Sequence, residues 1–239
     1  MKNQHCMKKL KEFEEHLQSF VHLEKCSNKD IHTLRVVSRD LCSLLSVDDP
    51  FYGRVKKVIK ISNKIRDMDV FFEFFLLSLP KKYLVKLDTD SIEKSTNESR
   101  KKKIDKLHEY LKSLVVPKNV LCKYEEDTFS LMDSNELILS KIELHKYRIY
   151  IKKVLVKEKN NALKDETKIK ILNKIKDILG TINDNYHGLE RLGSYEIDAS
   201  LFKKIENYGQ KENLKLFNRF TKLNRFLAKL RLLRRSFSQ

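Results

Sequence analysis

Apolar and polar positions follow a helical period along almost the whole chain. Leu, Ile and Phe recur at three- and four-residue spacing, whereas apolar residues that alternate with polar ones are rare. This spacing is typical of amphipathic helices that bury one face and expose the other. Only five Gly and three Pro interrupt the pattern. The sequence therefore predicts an all-α fold.

Capping residues and prolines divide the first half of the chain. Ser27 or Asn28 offers a side-chain oxygen that caps a helix running through Leu45. Asp49 and Pro50 mark the start of the next helix in the same way, because proline suits the first helical position, where its missing N–H is not needed. The predicted helices span about 4–26, 28–45, 50–66 and 99–115, with an apolar continuation over 70–79 that Pro80 stops and a polar loop over 88–97.

Residues 117–135 show no sustained period, which predicts a connection between two halves. The second half is predicted to form helices over about 135–159, 164–180, 182–192, 198–208 and 211–235, with Gly180, Gly193 and Gly209 near the breaks. We interpret residues 1–239 as a single domain with a first repeat over about 1–116 and a second over about 135–239.

The charge balance indicates an anionic partner. Fifty Lys and Arg face 33 Asp and Glu, which leaves a formal net charge of +17. Repulsion among so many like charges destabilises a compact state. A polyanion that binds the folded chain would offset this repulsion, so we expect a polyanion among its ligands.

Cysteine spacing, hydropathy and histidine spacing limit the other classes. The four cysteines lack CxxC spacing and are expected to be reduced thiols. No apolar run approaches the roughly 20 residues that span a bilayer, and the N-terminus leads into a charged helix, so we expect a cytoplasmic protein without a membrane segment. The histidines outside the repeated motif lack metal-ligand spacing. We predict neither a metal nor a cofactor.

A short motif occurs once in each half. Ile31–Arg39 and Leu144–Lys152 both read apolar-His-x-x-Arg-x-x-x-basic. Positions i, i+3 and i+7 cover only about 60° of a helix surface, so each motif forms one basic stripe: His32, Arg35 and Arg39 in the first half, and His145, Arg148 and Lys152 in the second. The core positions of the same helices fall elsewhere, at Leu34, Val37, Leu41 and Leu44, and at Tyr147, Tyr150 and Val154.

A second match follows each stripe. Ile65-Arg66-Asp67 lies downstream of the first stripe, and Ile182-Asn183-Asp184 lies at a similar distance from the second. Each of these motifs is preceded by a pair of lysines four residues apart, which places both lysines on one helix face. The pairs are Lys56 with Lys60 and Lys170 with Lys174, and we expect them to extend the basic stripes.

Taken in order, the four motifs resemble the CHAD domain, a conserved-histidine α-helical domain. The resemblance covers most of the chain and includes Leu179-Gly180-x-x-Asn183-Asp184 as the last motif. It implies two helical bundles related by a pseudo-twofold around a basic central groove that binds inorganic polyphosphate. Asp40, Cys42, Val154 and Leu155 stand where further basic residues are common in that family, so the implied groove carries less charge than usual.

The predicted polyphosphate-binding set contains the two stripes, the lysine pairs and part of the basic C-terminal helix. Lys222, Arg225 and Lys229 share a face of that helix, and either Asp67 or Asp184 is a candidate to orient a histidine ring. The complete set is His32, Arg35, Arg39, Lys56, Lys60, His145, Arg148, Lys152, Lys153, Lys170, Lys174, Lys222, Arg225 and Lys229.

Two other functions compete with a non-enzymatic polyphosphate binder. Nucleic acid presents the same repeated phosphate charge, but the chain has no Trp, and most Phe and Tyr fall at core spacing rather than at positions for base stacking. A phosphotransfer or hydrolytic enzyme with His32 or His145 as nucleophile is the less favoured alternative, because the chain lacks a phosphate-binding glycine-rich loop. We therefore predict a protein that is not an enzyme.

Overall fold

The all-α prediction is confirmed. The computed structural model describes residues 2–122, 141–159 and 165–236, and within these ranges the chain forms helices and no β-strand. None of the described helices is long and apolar enough to cross a membrane. The helices are α1 (Lys2–Val21), α2 (Asn28–Leu44), α3 (Pro50–Val70), α4 (Lys81–Leu84), α5 (Thr89–Lys112), α6 (Lys141–Lys159), α7 (Glu166–Leu192) and α8 (Ala199–Ser236).

The described residues form two compact units. The first unit contains residues 2–78 and 88–122, with α1, α2, α3 and α5 around one apolar core. Two predicted caps organise it: Ser27 forms a capping box with Asp30 at the start of α2, and Asp49 accepts a bond from the Phe51 N–H at the start of α3. Its fully buried side chains include Phe13, Ile31, Leu34, Leu41, Ile65 and Leu107.

The second unit contains residues 79–87, 141–159 and 165–236, with α4, α6, α7 and α8. One stripe of α6 enters its core through Tyr147 and Ile151, as the sequence predicts for Tyr147. The Tyr147 hydroxyl donates to Asn224 Oδ1 of α8 at 2.7 Å. This bond satisfies both polar groups where α8 buries Phe220 against the same core.

The predicted loop over 88–97 is wrong. Asp88 accepts a hydrogen bond from the Ser91 N–H at 3.0 Å and starts α5 at Thr89. Ile92 and Thr96, one turn apart, are both buried, and this packing holds the helix although the surrounding residues are polar. Tertiary contacts at two positions outweigh the low local hydrophobicity.

The predicted breaks at Gly180 and Gly209 are also wrong, because α7 and α8 each run through their glycine. A Cβ at Gly209 would lie 3.0 Å from Leu189 Cδ1, so this glycine serves the close approach of α8 to α7. Gly193 does end α7. The predicted first helix is too long, since α1 ends at Val21. Most of the predicted connection over 117–135 and the helix start near residue 135 lie outside the described residues.

A buried ion pair joins three helices of the first unit. It was not predicted from the sequence. Arg100 Nε of α5 donates to Asp69 Oδ1 at 2.7 Å, and the Asp69 side chain is only 1% exposed. The Arg100 Nη2 also donates to Asn28 Oδ1 of α2 at 2.6 Å. One guanidinium therefore joins α2, the end of α3 and α5. Burial raises the pKa of Asp69, and the Arg100 charge opposes that shift.

Replacing Arg100 by Met is expected to destabilise the protein by about 3–5 kcal/mol at pH 7, because an unpaired carboxylate is left buried. The loss should be smaller at an acidic pH, because burial raises the pKa of Asp69 and the protonated carboxyl group no longer needs a cation. Urea denaturation at both pH values measures the difference. Lys101→Met on the exposed side of α5 is the control, and an equally large loss there would contradict the assignment.

Candidate anion-binding site

The first basic stripe lies on α2 beside the buried face of that helix. Leu34, Val37 and Leu41 are buried, whereas His32 and Arg39 are exposed and Arg35 is half-buried. The separation of a basic stripe from a core stripe on α2 is therefore confirmed. Arg35 therefore stands at the edge of the buried face, where it can contact the next helix.

Arg35 reaches the neighbouring helix α3. Its Nε donates a hydrogen bond to the Asn63 side-chain oxygen. Lys60 and Lys56 precede Asn63 by three and seven residues, so they share its face of α3, and both are exposed. The Lys56 ammonium lies over the Tyr52 ring at 5.6 Å. The structure thus places the first lysine pair on the face of α3 that meets the α2 stripe.

Two cationic side chains, Arg66 and Arg35, act on His32. Partial desolvation lowers the pKa of His32, and the positive charges of Arg66 and Arg35 lower it further. Arg66 comes from α3, where its guanidinium is 4.0 Å from a Glu73 carboxylate oxygen and 5.5 Å from the centre of the Phe74 ring. The local potential at His32 is therefore positive, which favours an approaching anion.

Arg66 was missing from the predicted set of site residues, although it lies within the recurring Ile-x-Asp motif. The second half has Asn183 at the same place, so a search for basic residues common to both halves passes over Arg66. Its effect on His32 depends on the packing of α2 against α3, which local spacing does not reveal. The predicted orienting role of Asp67 or Asp184 stays a prediction.

The second basic stripe repeats this geometry on α6. His145 is exposed and Arg148 is half-buried. The Arg148 guanidinium lies against α7 at Gly180, where a Cβ would be 3.2 Å from Nη2 and 3.6 Å from Nε. The Nε of Arg148 is buried, and none of the described residues accepts a hydrogen bond from it. The absence of a side chain at Gly180 makes room for the guanidinium against α7.

The other predicted basic residues of α6 and α7 are distributed around their helices. Lys152 of α6 is half-buried and Lys153 is exposed. At about 100° per residue, Lys170 and Lys174 lie about 80° and about 120° around α7 from Gly180, and both are exposed. They flank the face that meets Arg148 instead of lying on it. Lys176, which was not predicted, is half-buried closer to that face and donates to Asn173 Oδ1 at 3.3 Å.

The predicted track on the C-terminal helix lies on the outer side of α8. Phe220 is buried in the core of the second unit, and Lys222 and Arg225 point about 160° and about 140° away from it around the helix. Both are exposed. The side chain of Lys229 lies outside the described residues. Lys222 and Arg225 therefore point away from the core of the second unit.

Comparison with known proteins adds no further assignment. No family model, curated protein or solved structure matches the chain. The chemistry of each unit must be taken from its own side chains. Each unit offers an exposed imidazole, an arginine that lies against the neighbouring helix, and lysines on those helices. In the described ranges, no group of three or more His, Cys, Asp or Glu side chains is placed to hold a metal ion. The arrangement offers hydrogen-bond donors and positive charge to an anion.

Arg66→Gln is expected to raise the pKa of His32 towards its usual value, because it removes the largest of the charges that oppose protonation of the imidazole. NMR titration of the His32 ring measures the shift. Arg54→Gln is the matched control, since Arg54 is exposed on α3 about 18 Å along the helix from Arg66. An unchanged or lower pKa of His32 in Arg66→Gln would contradict the convergence of these side chains.

Proposed function

We propose that this protein binds inorganic polyphosphate and is not an enzyme. The observation that carries the proposal is the convergence of Arg35 and Arg66 on His32, which makes the potential around an exposed imidazole positive. A site of this kind attracts anions and stabilises the protonated imidazole once an anion is bound. His145 and Arg148 offer the same two groups on α6 of the second unit.

The chemistry of polyphosphate suits a row of donors more than a deep pocket. Each phosphate unit carries charge and acceptor oxygens, so a long chain needs cations at repeated intervals. Arginine donates two parallel hydrogen bonds to one phosphate and keeps its charge at every physiological pH. Lys56 and Lys60 supply further charge on the face of α3 that holds Asn63. The α2–α3 pair thus offers arginine hydrogen bonds of defined direction and the less directional charge of the lysines.

We also propose that the chain arose by internal duplication and belongs to the CHAD family. Support comes from register: Asn63 stands two residues before Ile65, and Gly180 stands two residues before Ile182. Arg35 contacts the first of these positions and Arg148 contacts the second. Equivalent motifs therefore make equivalent contacts within each unit. A pseudo-twofold arrangement around a central groove stays a prediction, as does the cytoplasmic location.

Nucleic acid is the alternative ligand, because its backbone presents the same charge. Base stacking would require exposed aromatic rings beside the basic stripes. Phe13, Phe20 and Phe51 are buried in the core of the first unit, and Phe74 lies beside Arg66 with 57% of its surface exposed. Phe74 therefore gives nucleic acid a possible stacking position, and the half-buried Tyr52 ring lies beside Lys56. The burial of the other three rings favours a ligand without bases. Phosphotransfer through either histidine is the less favoured enzymatic alternative.

Reversing the charge of both arginines, Arg35→Glu together with Arg148→Glu, is expected to abolish polyphosphate binding at near-physiological salt. Each change removes a directed donor and places a carboxylate where phosphate should lie. Isothermal titration calorimetry with long-chain polyphosphate measures the loss, and circular dichroism checks that the helical content is unchanged.

The control for the double reversal carries the same change of net charge away from the stripes. Lys101→Glu with Lys211→Glu alters one exposed position in each unit, and its affinity should fall by less than about threefold, since distant exposed charges are screened. If the arginine variant keeps its affinity, or if both variants lose it equally, the proposed site is wrong and only the overall charge matters.

A further inference from the structure

The two units differ at one position that decides how their arginines are held. In the first unit, Asn63 gives Arg35 Nε an acceptor within the protein. The equivalent position in the second unit is Gly180, which has no side chain to offer. Arg148 occupies the vacant space with its guanidinium, and its Nε–H is buried without an acceptor among the described residues. At the same contact between helices, the Nε of one arginine is therefore bonded to a side chain, whereas the Nε of the other has no acceptor among the described residues.

Both features of the second unit are unfavourable in the absence of a ligand. A buried N–H without an acceptor costs free energy, especially on a charged group. A glycine inside a 27-residue helix also lowers the stability of that helix. An anion that draws the guanidinium away from α7 supplies the missing acceptor and relieves the first of these costs. Arg148 therefore gains more from an anion than Arg35, whose Nε is already bonded to Asn63.

We propose that Gly180 determines how much Arg148 contributes to affinity, and that it makes Arg148 the dominant phosphate-binding arginine. Arg35, held by Asn63, contributes less to affinity. Asn63 in α3 and Gly180 in α7 occupy equivalent positions. The residue at this position determines how strongly the arginine of its unit binds phosphate. This inference rests on the proposed function, since the phosphate units of polyphosphate are the acceptors in question.

The geometry predicts the effect of adding a side chain at Gly180. A Cβ there meets Nη2 at 3.2 Å and both Cζ and Nε at 3.6 Å, so even alanine requires the guanidinium to shift. Asparagine brings an amide oxygen to the position from which Asn63 binds Arg35. Gly180→Asn should therefore hold Arg148 within the protein and weaken its engagement of phosphate.

A reciprocal exchange tests this directly. In the unaltered protein, Arg148→Gln should weaken binding of long-chain polyphosphate at least tenfold, and Arg35→Gln should weaken it by about threefold. In the protein that carries Asn63→Gly and Gly180→Asn, the order should reverse, with the larger loss for Arg35→Gln. Calorimetric titration gives the affinities, and thermal unfolding monitored by circular dichroism confirms that each variant is folded.

A matched glycine provides the control. Gly53 lies within α3, and a Cβ there would meet no atom within 4 Å. Gly53→Asn should therefore leave polyphosphate affinity unchanged, whereas Gly180→Asn should lower it at least fivefold and Gly180→Ala should lower it by a smaller factor.

The outcomes separate this inference from the function on which it rests. Failure of the unaltered protein to bind polyphosphate would overturn both. Binding that the double charge reversal abolishes, combined with the same order of losses in the original and exchanged proteins, would overturn only the role of Gly180. Equal losses for the two arginines in the unaltered protein would also overturn it.

Discussion

Close packing between the helix that carries each basic stripe and the helix that follows it fixes the geometry of the site. Arg35 sits at the edge between the buried and exposed faces of α2, so it meets α3 at Asn63. Arg148 occupies the corresponding edge of α6 and meets α7 at Gly180. The core of each unit determines which face of α2 or α6 is buried. A change that rotates either helix about its axis would therefore move its arginine.

In the first unit, different arginines stabilise the fold and face the candidate site. Arg100 is joined to the buried Asp69 and to Asn28, so its charge is used within the protein. Arg66 is less tightly held, at 4.0 Å from Glu73, and its charge still acts on His32. The net charge of +17 therefore does not show how many cations can contact an anion. Some cations are paired within the fold, and others face the candidate site.

Local signals predicted the helical fold and the faces of the helices, because those properties depend on neighbouring residues. Ser27 and Asp49 cap helices where their side chains suggested. The predictions failed where a contact distant in sequence decides the outcome. Buried Ile92 and Thr96 hold a helix in a polar stretch, and Gly209 lies within a helix because Leu189 packs against it.

The candidate site shows the same division between local and distant information. The stripes could be found from spacing on one helix, whereas the contact of Arg35 with Asn63 joins residues 28 positions apart. Arg66 acts on His32 from another helix, and Lys222 and Arg225 point away from the core of their unit. Spacing identifies which residues share a face, but only the packing of helices shows which faces meet.

The most direct test of the account is a competition titration of the unaltered protein at near-physiological salt. Long-chain polyphosphate is bound first, and single-stranded and double-stranded nucleic acid are then added at equal and at excess phosphate concentration. We expect polyphosphate to remain bound when nucleic acid is in excess, because the stripes offer donors for phosphate and few rings for bases. Displacement at equal phosphate concentration would contradict it and would indicate a general polyanion binder.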